Sequence, residues 1–563
     1  MRTLHIKNKF PSILFAFLCT ILLFIAPPTG QAAITDETFD VPTDKTWTIT
    51  FNSPVDAATV NLNTIYVTDA SGVKQSGALT VSNDKTQVTV APPAGGYAHS
   101  ATYTLHITSA VRGENGKFLS GLIQKRFTIV APPPYDVATI QPDGSLSVIR
   151  TYPNYDAAVA ALGANQAILQ AGKVIKMPGG LVTTKPTSQS SLTIIYTDKQ
   201  LKRQETYIPA DTELIYIDST DAYVEVNVAG IPRFIKHENS ELIPQQAVRD
   251  RSYYYRSGDA LYHSIYSHGT KKFATYNAGA APSFMRAGER YYSADGSHFT
   301  AANGQNAGVA YQYFQYLPIR SVTPYTSEEI DAYIVAQLNQ LEAQNPNNPT
   351  YRNASVKSKL LGIGSILKKA EAEHHVNALH ILALAQHEST YGLSDRAQQY
   401  NNLFGLYVTD DNPAAKYFDS VEQNIEELIT AFWNKNYLPP NGAYAYGAVL
   451  GNKAIGMNVK YASDPYWGAK AAGHLYRIDR AMGSKEAANA YKLGLTNTTG
   501  LNVRNGPGTN HPIAYTYAKS GMPLILLDDM LPDSPWFKVR SDSTQYNELY
   551  VHGSYVYKLP VIK

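Results

Sequence analysis

Along the first part of the chain, apolar and polar positions alternate in short runs: "TWTITF", "TIYVT", "ALTVS", "TQVTV", "ATYTLHIT" and "KRFTIV". Period-two alternation rich in Thr and Val, broken by "SNDK", "PPAGG" and "GENGK", predicts an antiparallel β-sandwich over residues 34–130. "APPPY" at 131–135 follows as a stiff linker. Residues 135–320 are β-rich with weaker punctuation. "YIPADTELIYIDSTDAYVEVNVAGIPRFIKHENSELIP" has the spacing of a small SH3-like barrel near 190–245. The tyrosine-dense stretch after it reads as strands with aromatic cross-strand pairs or as a sugar-facing surface.

The period changes at "YTSEEIDAYIVAQLNQLEAQ". Thr326 and Glu329 stand at capping-box spacing, so a helix starts there. Further helices are expected over 365–374, 377–390 and 466–480. Another follows Ser420, which forms a second capping box with Gln423, and its Val421, Ile425, Leu428 and Phe432 share one face. This helical block spans 325–490, and short strands return over 493–563. The fold class is therefore multidomain: a β-sandwich, a β-rich middle region, a mainly α block and a C-terminal β-barrel.

A chain of 563 residues exceeds what a single core supports, which agrees with that division. Arg2, Lys7 and Lys9 precede an apolar run from Ile13 to Ala26, and "PPTGQAA" supplies small residues for cleavage, so residues 1–33 read as a secretory signal peptide. No later run approaches the length of a membrane span, and an exported protein at the cell wall is expected. Cys19, the single cysteine, falls inside the signal, leaving no disulfide and no cysteine metal site in the mature chain. A formal charge of +2 argues against a nucleic-acid partner. The 41 tyrosines suit contact with sugars or other polymers, a flat ring carrying a hydroxyl.

Chemistry concentrates in "LALAQHESTYG", residues 382–392. An apolar helix pattern runs through Ile381, Leu382, Leu384 and Ala385, meets Glu388 and stops at Gly392. The negative end of the helix dipole and apolar neighbours are the setting expected for a carboxylic acid that keeps its proton. His387-Glu388 begins like a zinc-protease motif, but Tyr391 stands where its second histidine belongs, and His374, His375 and His380 form no metal-ligand spacing. No metal and no cofactor are expected.

"HESTYG", "NNLFGLY" at 401–407, "YFDSVEQNIEEL" and "VKYASDPYWGAKAAGHLYRID" together resemble the bacterial glucosaminidase domain of glycoside hydrolase family 73. The resemblance implies a lysozyme-like fold over 325–490 and a hydrolase (an endo-β-N-acetylglucosaminidase, or autolysin) that cuts the β-1,4 bond after N-acetylglucosamine in peptidoglycan glycan strands. Glu388 would be the general acid. Tyr461 would face it across the cleft, orienting the substrate's acetamido group, which can itself serve as nucleophile. A second carboxylate is sought among Asp395, Asp410 and Asp411, with Asp410 the chosen candidate. Glu422 and Glu426 read as a solvated helix face. Asn401, Asn402, Phe404, Gly405, Tyr407 and Tyr466 would bind sugar, whereas Asp464 holds a turn before Pro465.

Residues 34–130 likewise resemble a bacterial Ig-like domain. "LNVRNGPGT" in the tail resembles a bacterial SH3-like wall-binding domain with peptide stems as ligand, although the usual closing Gly-Trp is replaced by "LYVHGSYV". Two alternatives stand beside this reading. One is a lytic transglycosylase or muramidase on the same fold, and the other a non-catalytic wall-binding surface protein.

Overall fold

A computed structural model describes residues 21–22, 34–75, 77–408, 416–529 and 534–563. The expected signal peptide lies outside these except for Ile21–Leu22, which pair parallel with Trp47–Thr50. The chain divides into two compact units at Pro134.

Alternation builds the first unit. In Thr102–Ile107 every second residue, Tyr103, Leu105 and Ile107, is buried while its neighbours are half-exposed. One sheet orders Ile34–Val41, Ile123–Ile129, Thr102–Ile107, Ile65–Asp69 and Lys74–Gln75. The other joins Trp47–Thr50, Gln87–Val90 and Leu79–Val81. Their inner faces meet around Trp47 and Phe127, with ring centroids 4.9 Å apart. This is the sandwich the pattern predicts, except that Ile34–Val41 pairs parallel with Ile123–Ile129 where antiparallel pairing is expected.

The second unit, residues 135–563, strings four larger β sheets and one helical block together. A four-stranded sheet (135–176) leads into a seven-stranded antiparallel sheet (180–244), in which Gln204–Pro209 is an edge strand. A six-stranded antiparallel sheet (253–309) carries the tyrosine-rich stretch. Its aromatic residues pair across strands: Tyr254 stacks on His263 at 4.0 Å and Tyr255 on Tyr262 at 5.4 Å. Residues 492–558 form a seven-stranded antiparallel sheet, and Val561–Ile562 returns to pair with Tyr311–Gln312 beside the entry to the helices.

The helical block contains α1 (Ser327–Gln344), α2 (Gly364–His374), α3 (Ala378–Glu388), α4 (Asp395–Tyr400), α5 (Val421–Glu427) and α6 (Trp467–Ala481). Thr326 and Glu329 cap α1 reciprocally, as their spacing predicts. At α5 only half of the expected box forms. Ser420 accepts from Gln423 N, but the Gln423 side chain accepts from Asp419 N. Helix α5 continues as a wider π turn, Leu428–Tyr437. Helix α3 lies at the centre, and every residue from Ala378 to Gln386 is buried. That explains its unbroken apolar run: a helix buried all round needs no polar face. Its core extends through Ala280, Leu493, Leu495, Ile525 and Leu559, so the flanking sheets share one interior with the helices.

Candidate active site

Helix α3 starts under Asn377, whose Oδ1 accepts from Leu379 N at 2.9 Å, and it delivers Glu388 at its other end. The turn after it is tightly specified. Ser389 is fully buried; its hydroxyl donates to Ala385 O and accepts from Gly392 N at 2.7 Å. Thr390, Tyr391 and Gly392 then run left-handed, at φ 52°, 59° and 74°. Two non-glycine residues held there in succession, one of them β-branched, represent local strain that the surrounding contacts enforce. A Cβ on Gly392 would meet Ser358 Oγ at 2.8 Å and Leu360 N at 3.0 Å, so glycine is required. "ESTYG" is thus a folded device that stops the buried helix and turns one carboxylate outward.

Glu388 is exposed, which differs from the apolar setting its neighbours suggest. Leu384 and Ala385 are buried in the core beneath the helix and do not cover the carboxylate. What holds it is polar: Trp467 Nε1 donates to Glu388 Oε1 at 2.8 Å, and Oε2 makes no hydrogen bond among the described residues. Trp467, itself buried, packs its ring on Tyr461 at 4.6 Å. Tyr461 meets Tyr437 at 5.3 Å, and Tyr437 meets Tyr444 at 5.3 Å, with Tyr444 exposed. A continuous aromatic track therefore runs from the surface to the carboxylate. Burial, with the nearby Glu388 charge second, pushes the Tyr461 phenol well above its ordinary range, so it stays a neutral donor.

Asp464 organises the start of α6. Its carbonyl accepts from Trp467 N at 3.2 Å and its carboxylate from Tyr466 N at 2.9 Å and Lys470 Nζ at 2.6 Å. The Asp464 acceptors thereby satisfy two free N–H groups at the helix end, those of Tyr466 and Trp467. Burial pushes His387 and its neighbour His474, 5.5 Å away, below the ordinary histidine range. Among the described residues, no three His, Cys, Asp or Glu converge on a point that would hold a metal.

The family model described as mannosyl-glycoprotein endo-beta-N-acetylglucosaminidase matches residues 364–480, which span α2 to α6 and include Glu388, Tyr461 and Trp467. Residues 364–480 form a glucosaminidase domain. A bacterial Ig-like model matches residues 25–129. Two curated proteins named putative endo-beta-N-acetylglucosaminidase, from two strains of Streptococcus pneumoniae, are 33% identical over 272 residues. Those residues are 48% of this chain and 36% and 34% of the relatives, so the chain spans about a third of their length. A solved catalytic mutant of S. aureus Autolysin E in complex with the disaccharide NAG-NAM is 18% identical, with a TM-score of 0.22. The match covers 33% of this chain and 82% of that one.

Within the glucosaminidase domain, "NNLFGLY" does a different job from the one expected of it. Asn402 is buried and does not line a groove. Its amide donates to Leu406 O at 3.0 Å and its Oδ1 accepts from Leu406 N at 2.9 Å, locking its own loop. Phe404 is buried in the helical core. Asn401 ends α4 in the left-handed conformation at φ 50° and donates to Phe418 O at 2.8 Å. Gly405, at φ 62°, keeps the tight turn. Tyr407 is exposed, and its hydroxyl donates to Glu427 at 2.5 Å. Tyr466 packs edge-on against His263 of the six-stranded sheet at 4.7 Å. Of the six expected sugar-binding residues Tyr407 is exposed, Asn401, Gly405 and Tyr466 are half-buried, and Asn402 and Phe404 are buried.

Asp410 and Asp411 lie outside the described residues. Asp395 opens α4, in the first turn after its Ser394 cap. Glu422 and Glu426 pair with Lys369 at 3.0 Å and His374 at 2.8 Å on the outer face. Sequence reasoning missed Trp467, Tyr437 and Tyr444. Trp467 had a signal: it is one of four tryptophans and directly follows "YASDPY".

Proposed function

We propose that this chain hydrolyses the β-1,4 bond after N-acetylglucosamine in peptidoglycan, with Glu388 as general acid. The observation that carries the reading is an exposed carboxylate fixed by an indole N–H at the end of the Tyr444–Tyr437–Tyr461–Trp467 track. Tyr437 and Trp467 are buried and Tyr461 half-buried, so the track braces the carboxylate from within, and a sugar ring would stack its flat C–H face on the exposed end at Tyr444. Trp467 engages Oε1 and leaves Oε2 to hand over a proton. A general acid must be protonated when the bond breaks, and water exclusion beneath a bound sugar is the physical route to that state. As the C–O bond opens, positive charge grows on the sugar. The neutral Tyr461 hydroxyl holds the acetamido oxygen so that the group closes on the anomeric carbon while the leaving oxygen takes the Glu388 proton. Water then attacks that carbon to open the ring and leave a reducing N-acetylglucosamine.

The remaining modules fit delivery to the wall. Residues 1–33 would export the chain, and residues 493–563 would act as an SH3-like wall-binding module. There, Tyr555 and Tyr557 are exposed, and Trp536 lies buried against His552. Digestion of purified peptidoglycan, with products read by mass spectrometry, tests the assignment. Fragments ending in reducing N-acetylglucosamine are expected from the full chain and none from Glu388→Gln. Anhydro-muramyl ends would make the protein a lytic transglycosylase, and no release at all would leave a wall-binding protein.

A further inference from the structure

Tyr461 sits on a loop, and that loop is held from outside the glucosaminidase domain. The edge strand Gln204–Pro209 of the 180–244 module lies against it. Thr206 Oγ1 donates to Val459 O at 2.6 Å, and Tyr207 OH donates to Lys460 O at 3.3 Å. Lys453 completes the grip: its Nζ donates to Ala462 O and to Thr206 Oγ1, the latter at 3.3 Å. The carbonyls of residues 459, 460 and 462 are thus each captured, bracketing Tyr461 on both sides.

Lys453 is an expensive choice for this place. It is 2% exposed, and no carboxylate lies within ion-pair distance of its ammonium among the described residues. Its surroundings are the Tyr207 ring at 5.1 Å and the charges of Asp464 and Lys460. Burial pushes it down to about 7. An apolar residue of similar length would fill the space without that desolvation penalty, but could not bond two oxygens from two modules at once.

We propose that Lys453, acting through Thr206 and Ala462, is a positioning residue for Tyr461, so that the 180–244 module braces the candidate active site and is not a spacer. This rests on the role given to Tyr461 above. The hydroxyl relay from Lys453 through Thr206 to Val459 fixes the loop backbone, and the backbone fixes where the phenol points.

The test uses the full chain with Lys453→Met, Lys453→Arg, Thr206→Val and Tyr461→Phe, reading peptidoglycan turnover and amide hydrogen exchange of residues 457–463. Lys453→Met is expected to lower kcat about tenfold with KM within about twofold. Lys453→Arg recovers part of that loss. In the Tyr461→Phe background the same change costs less than about twofold, because the route to activity is already cut. Exchange of the loop amides accelerates in both Lys453→Met and Thr206→Val. A full tenfold loss persisting in the Tyr461→Phe background overturns the proposal, as does unchanged turnover in Lys453→Met. The exchange arm separates it from the reading of the active site. Should Glu388→Gln remain active, loop protection in Lys453→Met still decides the clamp, and unchanged protection sinks it. If Lys453→Met does not fold, Thr206→Val, which removes one hydroxyl, carries the same tests.

Discussion

Two turns of the glucosaminidase domain, residues 388–392 and 401–407, follow helices α3 and α4 and both use left-handed residues to leave the helix. Their sequences look equally functional, yet they spend their polar groups in opposite directions. The first buries Ser389 to turn Glu388 outward; the second buries Asn402 to hold itself together. A motif therefore marks residues the fold needs as well as residues the substrate meets. What separates them is where the hydrogen-bonding capacity goes, since a side chain whose donors and acceptors are consumed internally has none left for a ligand.

Replacing each residue in turn splits activity from stability. Glu388→Gln should lose about a thousandfold in peptidoglycan turnover, the scale of a missing general acid. Its denaturant midpoint should stay within error, because the carboxylate is exposed and only the Trp467 bond changes. Asn402→Ala should do the converse, losing roughly 3–4 kcal/mol by leaving Leu406 N, Leu406 O and Asn424 without their partner, while turnover per folded molecule holds. A large activity loss in folded Asn402→Ala would restore that loop to the groove and break the contrast. Gly392→Ala falls between, since an added Cβ collides with Ser358 and Leu360 and shifts the turn that presents Glu388. A destabilisation of about 2 kcal/mol together with a measurable fall in kcat is expected, read by denaturant melts and initial rates.

The elements themselves were legible wherever periodicity and caps agreed. The sandwich alternates in its burial as its sequence does, and α1 opens on the capping box its residues spell. Glu388 was legible for a simpler reason: it is the one carboxylate ending a run with no polar face. The short helix α4 was hidden because its six residues, "DRAQQY", carry a single buried side chain, Ala397, and so show no period. The aromatic track was illegible for another reason. Tyr437, Tyr444, Tyr461 and Trp467 come from separate elements, and only folding brings them into line. The same holds for the Thr206–Lys453 contact, which joins residues 247 positions apart.

Another glutamate sharpens the comparison, because it has the burial that Glu388 was expected to have. Glu486 is 2% exposed, one of its carboxyl oxygens has no partner, and burial raises it from 4.5 to about 7. Asp479, Glu371 and Lys368 surround it, and the aromatic track does not reach it. Between pH 4.5 and 7 the folded state holds this proton more tightly than the unfolded chain, so ionisation costs stability as pH rises through that window. Glu486→Gln should therefore match the parent protein near pH 4 and exceed it by roughly 3 kcal/mol at pH 8, read from urea melts across the range. Turnover at fixed pH should be unchanged. If the pH slope of stability survives the substitution, the burial of Glu486 is not its cause. If turnover falls instead, a proton-holding carboxylate outside the track matters to the reaction, and burial would outrank the indole contact as the mark of the acid.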